Sequence, residues 1–101
     1  MNWLRVLAVD ALAPGACCVV QAGPRRLAIA RVGSAYFALD NTCPHAGGSL
    51  GDGYVSRATL HCPQHDWPFD LTTGKSEMGD CVATFATRVV DGWVEVALTA
   101  G

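Results

Sequence analysis

The sequence predicts an all-β domain: a small antiparallel β-sandwich or barrel with a loop-rich insert at one end. Three observations predict it. Short runs of β-branched and aromatic residues recur along the chain, each bounded by Gly, Pro, Asn or Asp turn signals. No segment sustains a helical period. Composition also changes sharply, because residues 40 to 80 hold most of the glycine and proline and every histidine. With 101 residues, the chain can build one modest core but not two, so the expectation is a single domain over residues 1–101.

The strands follow in order. Residues 2 to 9 carry "WLRVLAV", whose alternation suits a first strand. Asp10 interrupts that apolar run and Pro14 follows it, so the segment is read as a strand rather than a secretory or lipoprotein signal. The turn "APG" precedes a strand over 16 to 21, "AGP" separates it from one over 25 to 32, and "VGS" leads into one over 35 to 39. A fifth run covers 58 to 62, inside the insert, between the punctuation of "GDG" and "TTG". The last two, 82 to 90 and 93 to 98, flank the Asp-Gly of "VVDGWV", a strong hairpin signal. These flanking strands can close the sandwich or barrel and hold the insert at one end, giving its side chains a rigid support.

Composition narrows the function classes. Half the residues are hydrophobic, 16% are charged and the net charge is −2, which excludes a strongly basic nucleic-acid binder. No apolar run approaches the roughly 20 residues needed to span a bilayer, so no membrane partner is expected, and with the N-terminal segment read as a strand rather than a signal the expected compartment is the cytoplasm. There, the five cysteines read as metal ligands and reduced thiols rather than a disulfide framework. No nucleotide-binding glycine loop and no nucleophile with a matched base is visible, so the chain reads as a carrier or redox component rather than an enzyme with a catalytic residue.

The marked chemistry lies in the insert. "NTCPHAGGSL" contains Cys43-x-His45; after sixteen intervening residues, "LHCPQHDWPFD" contains Cys62-x-x-His65. Two thiolates and two imidazoles on two tight loops make a metal site. A tetrahedral structural zinc would accept Cys43, His45, Cys62 and His65, although Cys43-x-His45 is tighter than the usual zinc spacing. A binuclear iron cluster would instead use one Cys and one His from each loop, clamping the group between them.

"CPHAGGSL" and "CPQHDWPFDLTTGK" are similar to the two cluster-binding boxes of the Rieske [2Fe-2S] proteins. The likeness covers the ligands, the proline after each cysteine, the glycines of the first loop, and the aromatic residue, Asp and Thr-Gly after the second. It implies a Rieske iron-sulfur fold with a cluster-binding subdomain near 41–75 and one [2Fe-2S] cluster. Cys43 and Cys62 would hold one iron, buried, and His45 and His65 the other, near the surface where partners dock. Gly47 and Gly48 would let the backbone approach the cluster, and Pro44 and Pro63 would stiffen the loops. The respiratory and photosynthetic members have an extra cysteine in each loop and Ser and Tyr hydroxyls after the second; here those positions are Gly48, Gln64, Trp67 and Phe69. The resemblance therefore implies a potential nearer about −150 mV than about +300 mV. Its implied role is a ferredoxin passing single electrons from a flavin-dependent reductase to a terminal oxygenase. Alternatively, "HDW" and the closing "GDCVATFATRVVDGWVEV" are somewhat like the small subunit of an NAD(P)H-dependent nitrite reductase, whose partner would be the large subunit.

Other residues take plainer readings. His61 is expected on a strand, facing away from Cys62. Cys17 and Cys18 are adjacent and cannot form a relaxed disulfide with each other; one of them, and Cys81, read as buried small hydrophobes. Trp67 reads as packing over the loops or as a docking aromatic, and Trp3 and Trp93 as sheet or core residues. Residues 40 to 80 carry six acids against Arg57 and Lys75, a balance of −4, while the rest of the chain sums to +2. An acidic insert would steer a basic patch of a redox partner, or would simply be solvated turn residues.

Overall fold

Each β-branched run finds an antiparallel neighbour in the computed structural model, which describes residues 2–44, 47–64 and 66–98. Among the described residues there are nine strands: β1 (Trp3–Ala8), β2 (Cys17–Ala22), β3 (Arg25–Val32), β4 (Ala35–Asp40), β5 (Tyr54–Ser56), β6 (Thr59–His61), β7 (Pro68–Asp70), β8 (Thr84–Val90) and β9 (Trp93–Ala97). Six of them form one sheet in the order β1-β9-β8-β4-β3-β2. That sheet curls until β1 comes beside β2, nearly closing a barrel, with a register shift in β1 between Arg5 and Leu7. The other three form the separate sheet β5-β6-β7.

The sequence pattern of β3 explains how the two sheets meet. "LAIA" has no polar partner to alternate with, and all four residues are buried. Leu27 and Ile29 point into the barrel with Ala38, Phe85, Val94 and Val96. Ala28 and Ala30 point the other way, where with Leu39 they pack under Leu50, Leu60, Phe69, Leu71 and Val82. A strand covered on both faces loses the apolar-polar alternation of a half-exposed one. The second core ties the small sheet and its loops to the barrel, and it contains Cys43 and Cys62.

The seven expected strands all form, with ends moved by a residue or two. The strands β5 and β7 were not expected. Three residues are too few to show a period, and Pro68 lacks a backbone N–H, which restricts it to the start of an edge strand such as this one. Two cysteine expectations need correction. Cys17 packs against the core beneath the loops and Cys18 against the barrel interior, so both are half-buried and each meets a core. Cys81 is exposed: it bridges to Lys75, and alternation then sends Val82, not Cys81, into the core. Trp3 and Trp93 are sheet residues on the barrel's outside, where the guanidinium groups of Arg88 and Arg5 lie 4.2 and 5.6 Å from their rings. Among the described residues no helix is long and apolar enough to cross a membrane.

Candidate metal centre

The first loop leaves β4 at Asp40 and is cinched by Asn41. Its side chain donates from Nδ2 to Ser49 Oγ (2.9 Å), and its Oδ1 accepts from Gly51 N–H (2.7 Å). Its backbone carbonyl accepts from Leu50 N–H at 2.8 Å. Within that neck, Cys43 N–H donates to Gly48 O and Gly47 N–H donates to Cys43 O, both at 2.8 Å. Such a turn needs one residue at positive φ, and Gly47 supplies it at 68°. Pro44 lies exposed at the loop surface.

The second loop joins β6 to β7 and closes with Cys62 N–H donating to Trp67 O at 2.9 Å. Trp67 packs partly buried against the core beneath, and Phe69 is fully buried in it. The two loops come together where Gly48 faces Cys62. A methyl group built on Gly48 would lie 3.2 Å from Cys62 Sγ and 3.4 Å from the Gln64 side chain, so close approach, not positive φ, requires glycine there.

Cys43 and Cys62 are both fully buried and their thiols interact. Burial pushes the Cys62 thiol above its usual range, the Gln64 backbone N–H donating to its sulfur works against that, and the Cys43 side chain adds to the rise. Two thiols held together in a dry core, with a backbone N–H aimed at sulfur, form a donor set suited to a soft cation that would draw off their protons. Of the four ligands expected from the sequence, the structure thus brings Cys43 and Cys62 together. His45 and His65 lie outside the described residues, and among the described residues no group of three or more His, Cys, Asp or Glu gathers as a metal site.

His61 faces away from the core as expected. It sits opposite Tyr54 across β5 and β6, with the two rings stacked 4.6 Å apart and 2° from parallel. The Tyr54 hydroxyl donates to Asp66 Oδ1, and this bond chiefly raises the phenol's pKa. Asn41 and Tyr54 escaped the reading of the sequence, which saw Asp66 only as one of the acids of the insert. Asn41 carries a signal in retrospect, as an amide at a strand end just before a ligand loop. Tyr54 and Asp66 meet only through a strand pairing that had not been foreseen.

The [2Fe-2S] Rieske domain model matches residues 2–91 of the chain. Ferredoxin CarAc of Metapseudomonas resinovorans is 33% identical over 99 residues, covering 94% of this chain and 92% of that protein. Among solved structures, a chain of the complex of reduced oxygenase and oxidized ferredoxin in carbazole 1,9a-dioxygenase superposes with a TM-score of 0.86 at 32% identity, covering 94% of this chain and 92% of the other. A putative NADH-dependent nitrite reductase small subunit from Mycobacterium tuberculosis superposes with a TM-score of 0.90 at 25% identity, covering 99% and 97%.

Proposed function

The chain belongs to the Rieske [2Fe-2S] domain family, and from that premise we propose that Cys43, His45, Cys62 and His65 hold a single [2Fe-2S] cluster. In this reading residues 1–101 form one domain whose segment near 41–75 is the cluster-binding part. A bound [2Fe-2S] group supplies the storage of one electron at a time. The observation that carries the proposal is the pair of buried, interacting thiols of Cys43 and Cys62, on two loops that approach as closely as Gly48 allows.

The remaining residues supply binding and tuning. Cys43 and Cys62 would hold one iron within the core, away from water, and His45 and His65 the other. The Gln64 N–H bond to Cys62 sulfur stabilises negative charge there. Trp67 and Phe69 offer no hydroxyl to sulfur, and the buried phenyl ring of Phe69 fills the core instead, which supports a potential at the low end of the family's range.

The partners we propose are a flavin-dependent reductase as donor and a terminal oxygenase as acceptor. The likeness to ferredoxin CarAc and to the oxygenase–ferredoxin complex of carbazole 1,9a-dioxygenase supports this. Asp52, Asp66, Asp70, Glu77 and Asp80 are all exposed, in keeping with docking to a basic partner surface. A second reading, as the small subunit of a nitrite reductase, rests on the equally complete superposition on that subunit. The test is anaerobic purification, iron analysis and EPR of the reduced protein, then stopped-flow reduction by a flavin-dependent ferredoxin reductase over a range of ionic strength. The proposal expects a rhombic spectrum and reduction that slows as salt rises. A colourless zinc protein would overturn the cluster reading. Reduction only within a nitrite reductase large subunit would favour the second reading.

A further inference from the structure

We propose that Tyr54, His61 and Asp66 form a clamp that holds the second ligand loop in a backbone conformation it would otherwise resist, making Tyr54 and Asp66 positioning residues for His65. This rests on His65 being a ligand. Asp66 directly follows His65 and sits at φ 56°, in the left-handed region, which Asp enters more readily than most residues but still at a cost that glycine does not carry. Its carboxylate reaches across the sheet edge to β5, where Oδ1 accepts the hydroxyl proton of Tyr54.

The platform beneath this bond is rigid. Tyr54 and His61 are directly paired across β5 and β6, and their stacked rings stand on the face opposite Leu60, which is buried in the core. Asp66 Oδ1 also lies 3.3 Å from the buried Nδ1 of His61, an ion-pair distance to an atom with no conventional hydrogen bond among the described residues, so the same oxygen faces both rings. On the other flank, the Cys62 N–H bond to Trp67 O fixes the loop's closure. The chain just after His65 is therefore fixed by the side chain of Asp66 and by the backbone of Trp67. The Tyr54 residue is 49% exposed, so burial alone does not explain its placement.

A clamp that offsets backbone strain has a distinctive pattern of variants, because glycine removes the strain that the hydrogen bond offsets. The experiment uses the cluster-loaded full chain and measures the rate of cluster loss to an iron chelator together with the EPR g values of the reduced protein. Tyr54→Phe should lose the cluster about two- to tenfold faster and shift the g values. Asp66→Ala, which keeps the strain and loses the bond, should be at least as impaired. Asp66→Gly should stay within about twofold of the parent with its g values restored, and adding Tyr54→Phe to Asp66→Gly should change nothing further. The clamp is overturned if Tyr54→Phe behaves as the parent, if Tyr54→Phe is equally harmful in the Asp66→Gly background, or if Asp66→Gly is as impaired as Asp66→Ala. Failure of the underlying reading shows separately: if His65→Ser leaves the parent's EPR spectrum intact, His65 is no ligand and the clamp has nothing to position.

Discussion

Replacing Gly48 with alanine would set a methyl group 3.2 Å from Cys62 Sγ and 3.4 Å from Cδ and Oε1 of Gln64. Relaxed carbon contacts lie near about 3.5–4.0 Å, so the two loops must separate by a few tenths of an ångström. The backbone at Gly48 is not at positive φ, so the substitution avoids the left-handed penalty and the contact is its main effect. In the unloaded protein only core packing and the Gln64 N–H hold the Cys62 sulfur, whereas a bound sulfur is also fixed by its metal, so the clash weighs most on the loaded state. Overpacking of this kind costs about 1–3 kcal/mol, or roughly five- to 150-fold in cluster affinity. Chelator competition and iron-to-protein ratios would read that loss, while thermal unfolding of the unloaded protein should change little. Gly47 provides the control: a Cβ there meets nothing within 4 Å among the described residues, but φ is 68°. Gly47→Ala should therefore cost about 1–2 kcal/mol through the backbone, and Gly47→Asn should recover part of it, because Asn tolerates that conformation. Gly48→Asn should instead be worse than Gly48→Ala. A Gly48→Ala protein that holds the cluster as tightly as the parent would refute the close approach of the two loops.

Asn41→Ala should destabilise the protein by about 1–3 kcal/mol in urea denaturation, since it strands the buried Gly51 N–H and removes the Ser49 bond; an unchanged midpoint would show that the neck of the first loop is held by its backbone alone. Thiol labelling of the native protein should modify exposed Cys81 first, as mass spectrometry of the digest would show. Cys17 and Cys18 should lag and speed up only at higher pH, because burial raises both thiols above their ordinary value and leaves less thiolate at a given pH. Glu95 sits between Arg88 (2.8 Å) and Arg5 (3.4 Å), and the Arg88 bond chiefly lowers its pKa below the usual 4.5. A depressed folded pKa gives stability that is present above about pH 4.5 and is lost as pH falls through the lower, folded value. Glu95→Gln should therefore flatten the acid limb of a Tm-against-pH curve, and an acid limb as steep as the parent's would contradict that account.

The two cysteine loops were legible because metal chemistry demands particular residue types at short spacing, and Cys43 and Cys62 do meet in the structure. The long strands were legible for a different reason: their periods and turns are local, as in the Asp-Gly hairpin joining β8 to β9. What the sequence hid was tertiary. Burial of Cys17 and Cys18 in different cores depends on β2 being covered on both faces, which no single strand reveals. Cys81 was misjudged from the average behaviour of cysteine, where its bridge to Lys75 decides the outcome. The bond from Tyr54 to Asp66 spans twelve positions and exists only because a three-residue strand pairs with β6.

The central claim is mixed Cys/His ligation of one cluster, and pulsed EPR of the reduced protein grown with ¹⁵N-labelled histidine tests it most directly. The account predicts strong hyperfine coupling from two bound nitrogens that changes with the isotope, with one coupling lost in His45→Ser and one in His65→Ser if the cluster survives. A reduced cluster with no strongly coupled histidine nitrogen, or with couplings indifferent to the label, would contradict it.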